Sequence, residues 1–172
     1  ELALQQTDAL PPPARRTLET MARESERLTG FVQRILDLSR LEAGKLVVTL
    51  GPVAARPVLQ RAIDTVLSPN SRRPIQLEVP RDLPPLWGDE IYLEEIIRNF
   101  VRNADKYSPP DRPIRLAASI VNSHIVLSVI DHGPGLSVDM QERVFDRFYR
   151  GSNRESAAPG WGLGLYFARK LA

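Results

Sequence analysis

From Ala14 to Glu42 the chain contains no proline, while Pro11, Pro12 and Pro13 stand directly before this stretch and Gly44 closes it. Proline is excluded from helix interiors and glycine is common just past a helix end, so this punctuation delimits one long helix. Met21, Leu28, Phe31, Ile35 and Leu38 recur along it at spacings of seven, three, four and three, the pattern of a coiled-coil seam. Arg23, Glu24, Glu26, Arg27 and Arg34 fill the other faces. A helix with a single apolar stripe is marginal alone, so this one needs a partner helix. Residues 1–9 read as the end of an earlier helix, with Leu10 and the three prolines forming the turn between the two.

A compact domain begins after Gly44. Leu46 to Leu50 has the composition of a short strand and Gly51-Pro52 that of a turn. Val58, Leu59, Ala62, Ile63, Val66 and Leu67 make one helical face, and Ile75 to Val79 alternates as a strand. A loop rich in proline (Pro80, Pro84, Pro85) leads to Asp89, a good N-cap for a helix running to about Lys106. Ile91, Ile96, Ile97, Phe100 and Val101 are expected to bury one side of it. Ile114 to Ile120 and His124 to Ile130 form a hairpin across Val121-Asn122-Ser123. A helical turn, a polar loop from Gly151 to Pro159 and a last helix from about Gly162 follow. This order of helices and hairpin-linked strands predicts an α+β sandwich of one mixed sheet and one helical layer, preceded by the coiled-coil-like helix.

Bulk properties narrow the function. Twenty-three Lys and Arg against 21 Asp and Glu leave +2, too balanced for a nucleic-acid groove or an anionic membrane as the main partner. Without cysteine, disulfide scaffolds, thiolate metal sites and Cys nucleophiles are excluded. No apolar stretch approaches the roughly 20 residues that cross a bilayer, so any membrane segment is expected outside this chain.

Four segments carry chemistry. In Asn99-Phe-Val-Arg-Asn103-Ala-Asp-Lys106-Tyr107-Ser108 the two asparagines are four apart and share one helical face. An amide oxygen there suits a Mg²⁺ that already holds phosphates and waters, Lys106 supplies a point charge for phosphate, and Tyr107 an aromatic face. Taken alone, the segment is equally a helix end with ordinary polar capping. Asp131-His-Gly133-Pro-Gly135 puts a carboxylate at a strand end beside backbone that a flat base can approach closely, although a plain Asp-Gly turn has the same look. Gly160-Trp-Gly162-Leu163-Gly164-Leu165 opens a helix whose free N–H groups attract phosphate. It is neither the dinucleotide fingerprint nor a Walker loop, because no strand precedes it and no Gly-Lys-Ser/Thr follows. Phe145-Asp-Arg-Phe148-Tyr-Arg150 places two aromatics three apart, able to anchor a lid over 151–159 or simply to pack on the core.

In this order the four segments closely resemble the N, G1, F and G2 boxes of sensor histidine kinases, a likeness that covers residues 45–172. The helix ending Leu36-Asp-Leu-Ser-Arg-Leu-Glu-Ala-Gly44 resembles the second helix of that family's dimerisation and phosphotransfer hairpin, which residues 1–44 would represent in part. The resemblance implies the Bergerat fold, with ATP and Mg²⁺ as ligands. It assigns Asn103 to the metal, with Asn99 beside it, and Asp131 to the adenine amino group in a pocket shaped by Gly133 and Gly135. Tyr107 would lie along the base and Lys106 and Arg150 would grip phosphates. Gly160, Gly162 and Gly164 would form the hinge and anion-binding end of the lid, with Phe148, Leu163 and Leu165 also at the nucleotide.

Related gyrase-, Hsp90- and MutL-type ATPases carry a glutamate at the place of Asn99. An amide cannot act as that base, and its loss typically costs about 10²–10⁴ in rate, so transfer is favoured over hydrolysis. His124 and His132, the two histidines present, lack the helical context of a phosphoacceptor, which is therefore expected upstream of Glu1. The family usually continues past the last helix into further strands, so the domain is expected to be truncated at Ala172. The implied partners are a second copy of the parent protein through the helical hairpin and a response-regulator receiver domain, on the cytoplasmic side of a membrane-bound sensor. A degenerate dimerisation scaffold and a hydrolytic ATPase are the competing readings.

Overall fold

The computed structural model describes residues 11–67, 71–149 and 161–171. The chain divides into two compact units, Glu1–Leu46 and Val47–Ala172. The first holds α1 (Pro12–Glu42), with Pro12 and Pro13 in its first turn, where missing N–H groups cost nothing. Its far end closes in a Schellman arrangement. Gly44, at φ +64, donates to Leu41 O at 3.1 Å and Lys45 N donates to Arg40 O at 2.7 Å. Of the expected seam, Met21 is 63% exposed, Leu28 and Ile35 are also exposed, and Leu38 is buried. The helix end expected over residues 1–9 lies outside the described residues.

The second unit runs β1 (Gly51–Val53), α2 (Ala55–Val66), β2 (Ile75–Glu78), β3 (Leu86–Gly88), α3 (Glu90–Tyr107), β4 (Ile114–Val121), β5 (His124–Ile130), α4 (Val138–Arg143) and α5 (Gly164–Leu171). The main sheet is mixed, in the order β2-β4-β5. β2 and β4 are parallel and connected through α3, while β4 and β5 form an antiparallel hairpin in which Val121 faces His124. Asn122 and Ser123, at φ 49 and 64, make the two-residue turn; paired positive φ values match the right-handed twist of the flanking strands.

Among the described residues β1 and β3 pair only with each other, Gly51 opposite Gly88. This corrects two expectations. Leu46 to Leu50 forms no strand, and Gly51-Pro52 belongs to one instead of turning. The β-favouring side chains at 46–50 find no neighbouring strand, whereas Gly51–Val53 lies beside the short β3 hidden after Pro85.

On β4, Ile114, Leu116 and Ala118 point into the core while Arg115, Ser119 and their alternates face away. Leu59, Ala62 and Ile63 of α2 and Ile97, Val101 and Ala104 of α3 cover that face. Ile91 departs from the expected apolar side of α3: it is 77% exposed, and Ala104, two turns beyond Ile97, completes the buried row. On the outside of the helical layer Arg61 of α2 pairs with Glu94 and Glu90 of α3, which raise its pKa above the usual arginine value in that order.

Candidate nucleotide site

Asp89 starts the helix that carries most of the site. Its Oδ1 accepts from Ile91 N at 3.0 Å and Tyr92 N at 3.3 Å, and its Oδ2 accepts from Thr49 N at 2.7 Å. Glu90 in the first turn and Lys106 in the last suit the helix dipole. Ile97, Val101 and Ala104 take the core face, so Asn99 and Asn103 project from a different side of the same helix. Asn99 is nevertheless only 4% exposed, because the first residue of α5 lies on it. A Cβ at Gly164 would stand 2.9 Å from Asn99 Oδ1. Asn103 and Lys106 are half-buried one and two turns on, and the Lys106 Nζ sits 4.6 Å from the centre of the Tyr107 ring.

β5 delivers Asp131 to an exposed position directly after Ile130. Gly133 N donates to Asp131 Oδ1 at 2.6 Å, while Oδ2 accepts no hydrogen bond among the described residues. Gly133 also lies against the end of α3, where a Cβ would come within 3.2 Å of the Tyr107 carbonyl oxygen. His132 N donates to the buried Ser108 Oγ at 3.1 Å. The first two segments singled out in sequence are therefore one corner, bonded through Ser108. Gly135 turns away with φ +72.

The other two segments also meet. Phe148 N donates to Gly162 O at 3.0 Å. Gly162 has φ +67, and a Cβ there would lie 2.7 Å from both Phe148 C and Tyr149 O. Phe148 itself adopts φ 62, uncommon for an aromatic residue. Its side chain is exposed, whereas Phe145 is half-buried and lines a groove with Ile96, Phe100 and Ala168. Leu163 is buried and its carbonyl accepts from Phe167 N at 2.9 Å as α5 begins, with Leu165 half-buried. α5 starts at Gly164, two residues later than expected. Arg150, Gly160 and the lid expected over 151–159 lie outside the described residues.

The arrangement offers an exposed carboxylate oxygen beside glycine backbone, a cation over an aromatic ring, and two amides one turn apart. Among the described residues no three His, Cys, Asp or Glu converge as a metal cage. Ser108 closes the first of the four segments, but nothing in the patterning marked it as the acceptor for His132 N. Arg73, which binds the same helix end from the segment before β2, carried no signal in the patterning and is defined by what folding brings to it.

Residues 88–172 match the model of the "Histidine kinase-, DNA gyrase B-, and HSP90-like ATPase" family. The chain is 34% identical over 165 residues to the sensor-like histidine kinase SenX3 of Mycolicibacterium smegmatis, covering 94% of this chain and 43% of that protein. It is 33% identical over 143 residues to the sensor protein KdpD of Escherichia coli, covering 83% of this chain and 16% of that one. Among solved structures, full-length ShkA in complex with AMPPNP superposes with a TM-score of 0.77 at 28% identity, over 99% of this chain and 36% of its own. The histidine kinase AdeS of Acinetobacter baumannii shares the fold, with a TM-score of 0.74 at 18% identity over 99% of this chain and 80% of its own. The chain spans less than half the length of the two sequence relatives.

Proposed function

Residues 88–172 belong to the histidine kinase-, DNA gyrase B- and HSP90-like ATPases as part of a sensor-histidine-kinase catalytic domain, and we propose that this domain transfers the γ-phosphoryl group of Mg-ATP to a histidine lying outside residues 1–172. The bond from the γ-phosphorus to the bridging oxygen breaks, a P–N bond forms at the imidazole, ADP leaves and the imidazole proton passes to solvent. The observation that carries the reading is Asn99, an amide held against Gly164 at the place where hydrolytic relatives carry a glutamate. With no carboxylate base at that position, the domain is suited to positioning ATP for an external acceptor.

In this reading Asp131 Oδ2 accepts the adenine amino group and Gly133 and Gly135 keep the pocket wall thin. Tyr107 lies along the base, and Lys106, with Arg150, grips phosphate oxygens. Asn103, with Asn99 beside it, is the protein's ligand to the metal. Mg²⁺ when bound neutralises charge on the transferring phosphoryl group. Gly160, Gly162 and Gly164, with Phe148, Leu163 and Leu165, frame the phosphate end. The exposed Met21, Leu28 and Ile35 support pairing of α1 within a helical hairpin of two copies, and the receiver domain of a response regulator is the onward partner. Among the described residues no helix is long and apolar enough to cross a membrane; in a membrane-bound sensor this chain would lie on the cytoplasmic face.

Calorimetric titration with ATP, with and without Mg²⁺, tests the site. Asp131→Asn and Asn103→Ala are each expected to abolish Mg-dependent binding while leaving thermal unfolding nearly unchanged, because both side chains are at least partly exposed. Titrations identical to the parent in both variants would overturn the proposal.

A further inference from the structure

Arg73 stands in the segment before β2, far in sequence from the four boxes, yet its side chain is only 6% exposed. Its guanidinium uses all five of its N–H groups. Nε donates to Asp105 Oδ1 at 2.6 Å, Nη1 to Pro109 O at 2.8 Å and Arg112 O at 3.2 Å, and Nη2 to Asp105 O at 3.0 Å and Ser108 O at 3.2 Å. These carbonyls include ones that the end of α3 leaves without helical partners, and a cation there also meets the negative end of the helix dipole. The neighbouring Pro74 carbonyl accepts from Ile114 N at 3.0 Å, so the segment carrying Arg73 is itself anchored to the start of β4.

The clamped turn is the one that builds the adenine corner. Asn103, Lys106 and Tyr107 project from it, Ser108 Oγ receives His132 N, and the Tyr107 carbonyl lies so near Gly133 that a Cβ there would come within 3.2 Å of its oxygen. Movement of the α3 end would therefore shift Asp131 and the residues facing it together. We propose that Arg73 is a positioning residue of the nucleotide site: by bonding Asp105, Ser108, Pro109 and Arg112 at once, it sets where the last turn of α3 meets the Asp131–Gly135 segment. The proposal rests on the ATP-binding reading above. Arginine is required because a planar fork can serve an acid and several carbonyls in fixed directions, whereas an ammonium is a single point.

The test is calorimetric titration of the 172-residue chain with Mg-ADP, paired with thermal unfolding, at temperatures well below each unfolding midpoint. Arg73→Gln is expected to raise Kd roughly tenfold to a hundredfold, the scale on which small displacements of a binding constellation are felt. Arg73→Lys keeps a charge opposite Asp105 without the fork and is expected to fall between Arg73→Gln and the parent. Ile63→Val, in the core on α2, is expected to lower the midpoint without moving Kd. An Arg73→Gln variant with a lowered midpoint and unchanged Kd would make the clamp purely structural and overturn the inference. If that variant does not fold, an unchanged Kd in Arg73→Lys overturns it instead. A parent chain that does not bind Mg-ADP overturns the ATP-binding reading and this inference with it; a parent that binds, with unaltered Arg73 variants, overturns the inference alone.

Discussion

Gly164 lies against the amide of Asn99, so closely that a Cβ at position 164 would stand 2.9 Å from Asn99 Oδ1 and 3.3 Å from its Cγ. The contact buries a polar residue of α3 on the side away from the sheet, and it joins two segments more than sixty positions apart in sequence. Gly164→Ala is expected to displace the amide or the start of α5 and to cost about 1–3 kcal/mol, the usual range for overpacking. In an Asn99→Ala background the same substitution should cost less, because the methyl then has room. Thermal unfolding of the two single variants and the double variant measures this coupling, and additive effects would argue against the contact.

Gly162 and Gly135 share a positive φ but differ in surroundings. At Gly135 a Cβ meets nothing within 4 Å, whereas at Gly162 it meets the backbone of Phe148 and Tyr149. Gly135→Ala is therefore expected to cost only the left-handed conformation, about 1–2 kcal/mol. Gly162→Ala should cost more and should also detach the Phe148 hydrogen bond. Denaturant unfolding of both variants checks the order.

The exposed stripe on α1 predicts concentration-dependent association. Leu28→Glu, at an exposed seam position, should weaken pairing while leaving the fold of residues 47–172 unaltered, since it lies outside that unit. Sedimentation equilibrium at two loading concentrations reads the first effect and nucleotide titration the second.

Hydrolysis provides a fourth expectation. With an amide at position 99, steady phosphate release from ATP should be slower by about 10²–10⁴ than a carboxylate base would allow. Labelled phosphate should instead accumulate on an added helical hairpin that carries an acceptor histidine. Rapid phosphate release without any acceptor would favour the hydrolytic reading.

Much of this was legible along the chain because it depends on neighbours in sequence. Asp89 caps α3 with its own following amides, Asn122 and Ser123 turn the β4–β5 hairpin between alternating strands, and Gly44 ends α1 by bonds to residues just before it. Leu46 to Leu50 misled for the opposite reason. Its side chains favour strands, but a strand needs a partner, and the partner of this region, Leu86–Gly88, pairs with Gly51–Val53. Three residues between Pro85 and Asp89 are too few for any period to declare them.

The sequence by itself determined the local elements and the chemical inventory: which amides, glycines, aromatics and carboxylates exist, and in what order. Only the tertiary structure decided their meeting. Gly164 seats on Asn99, Gly162 carries Phe148, Ser108 holds His132, and Arg73 grips the end of α3 from the segment before β2. Hydrogen bonds and close packing act over a few ångströms of space, and the separation of two residues along the chain does not reveal which of them will come within that range.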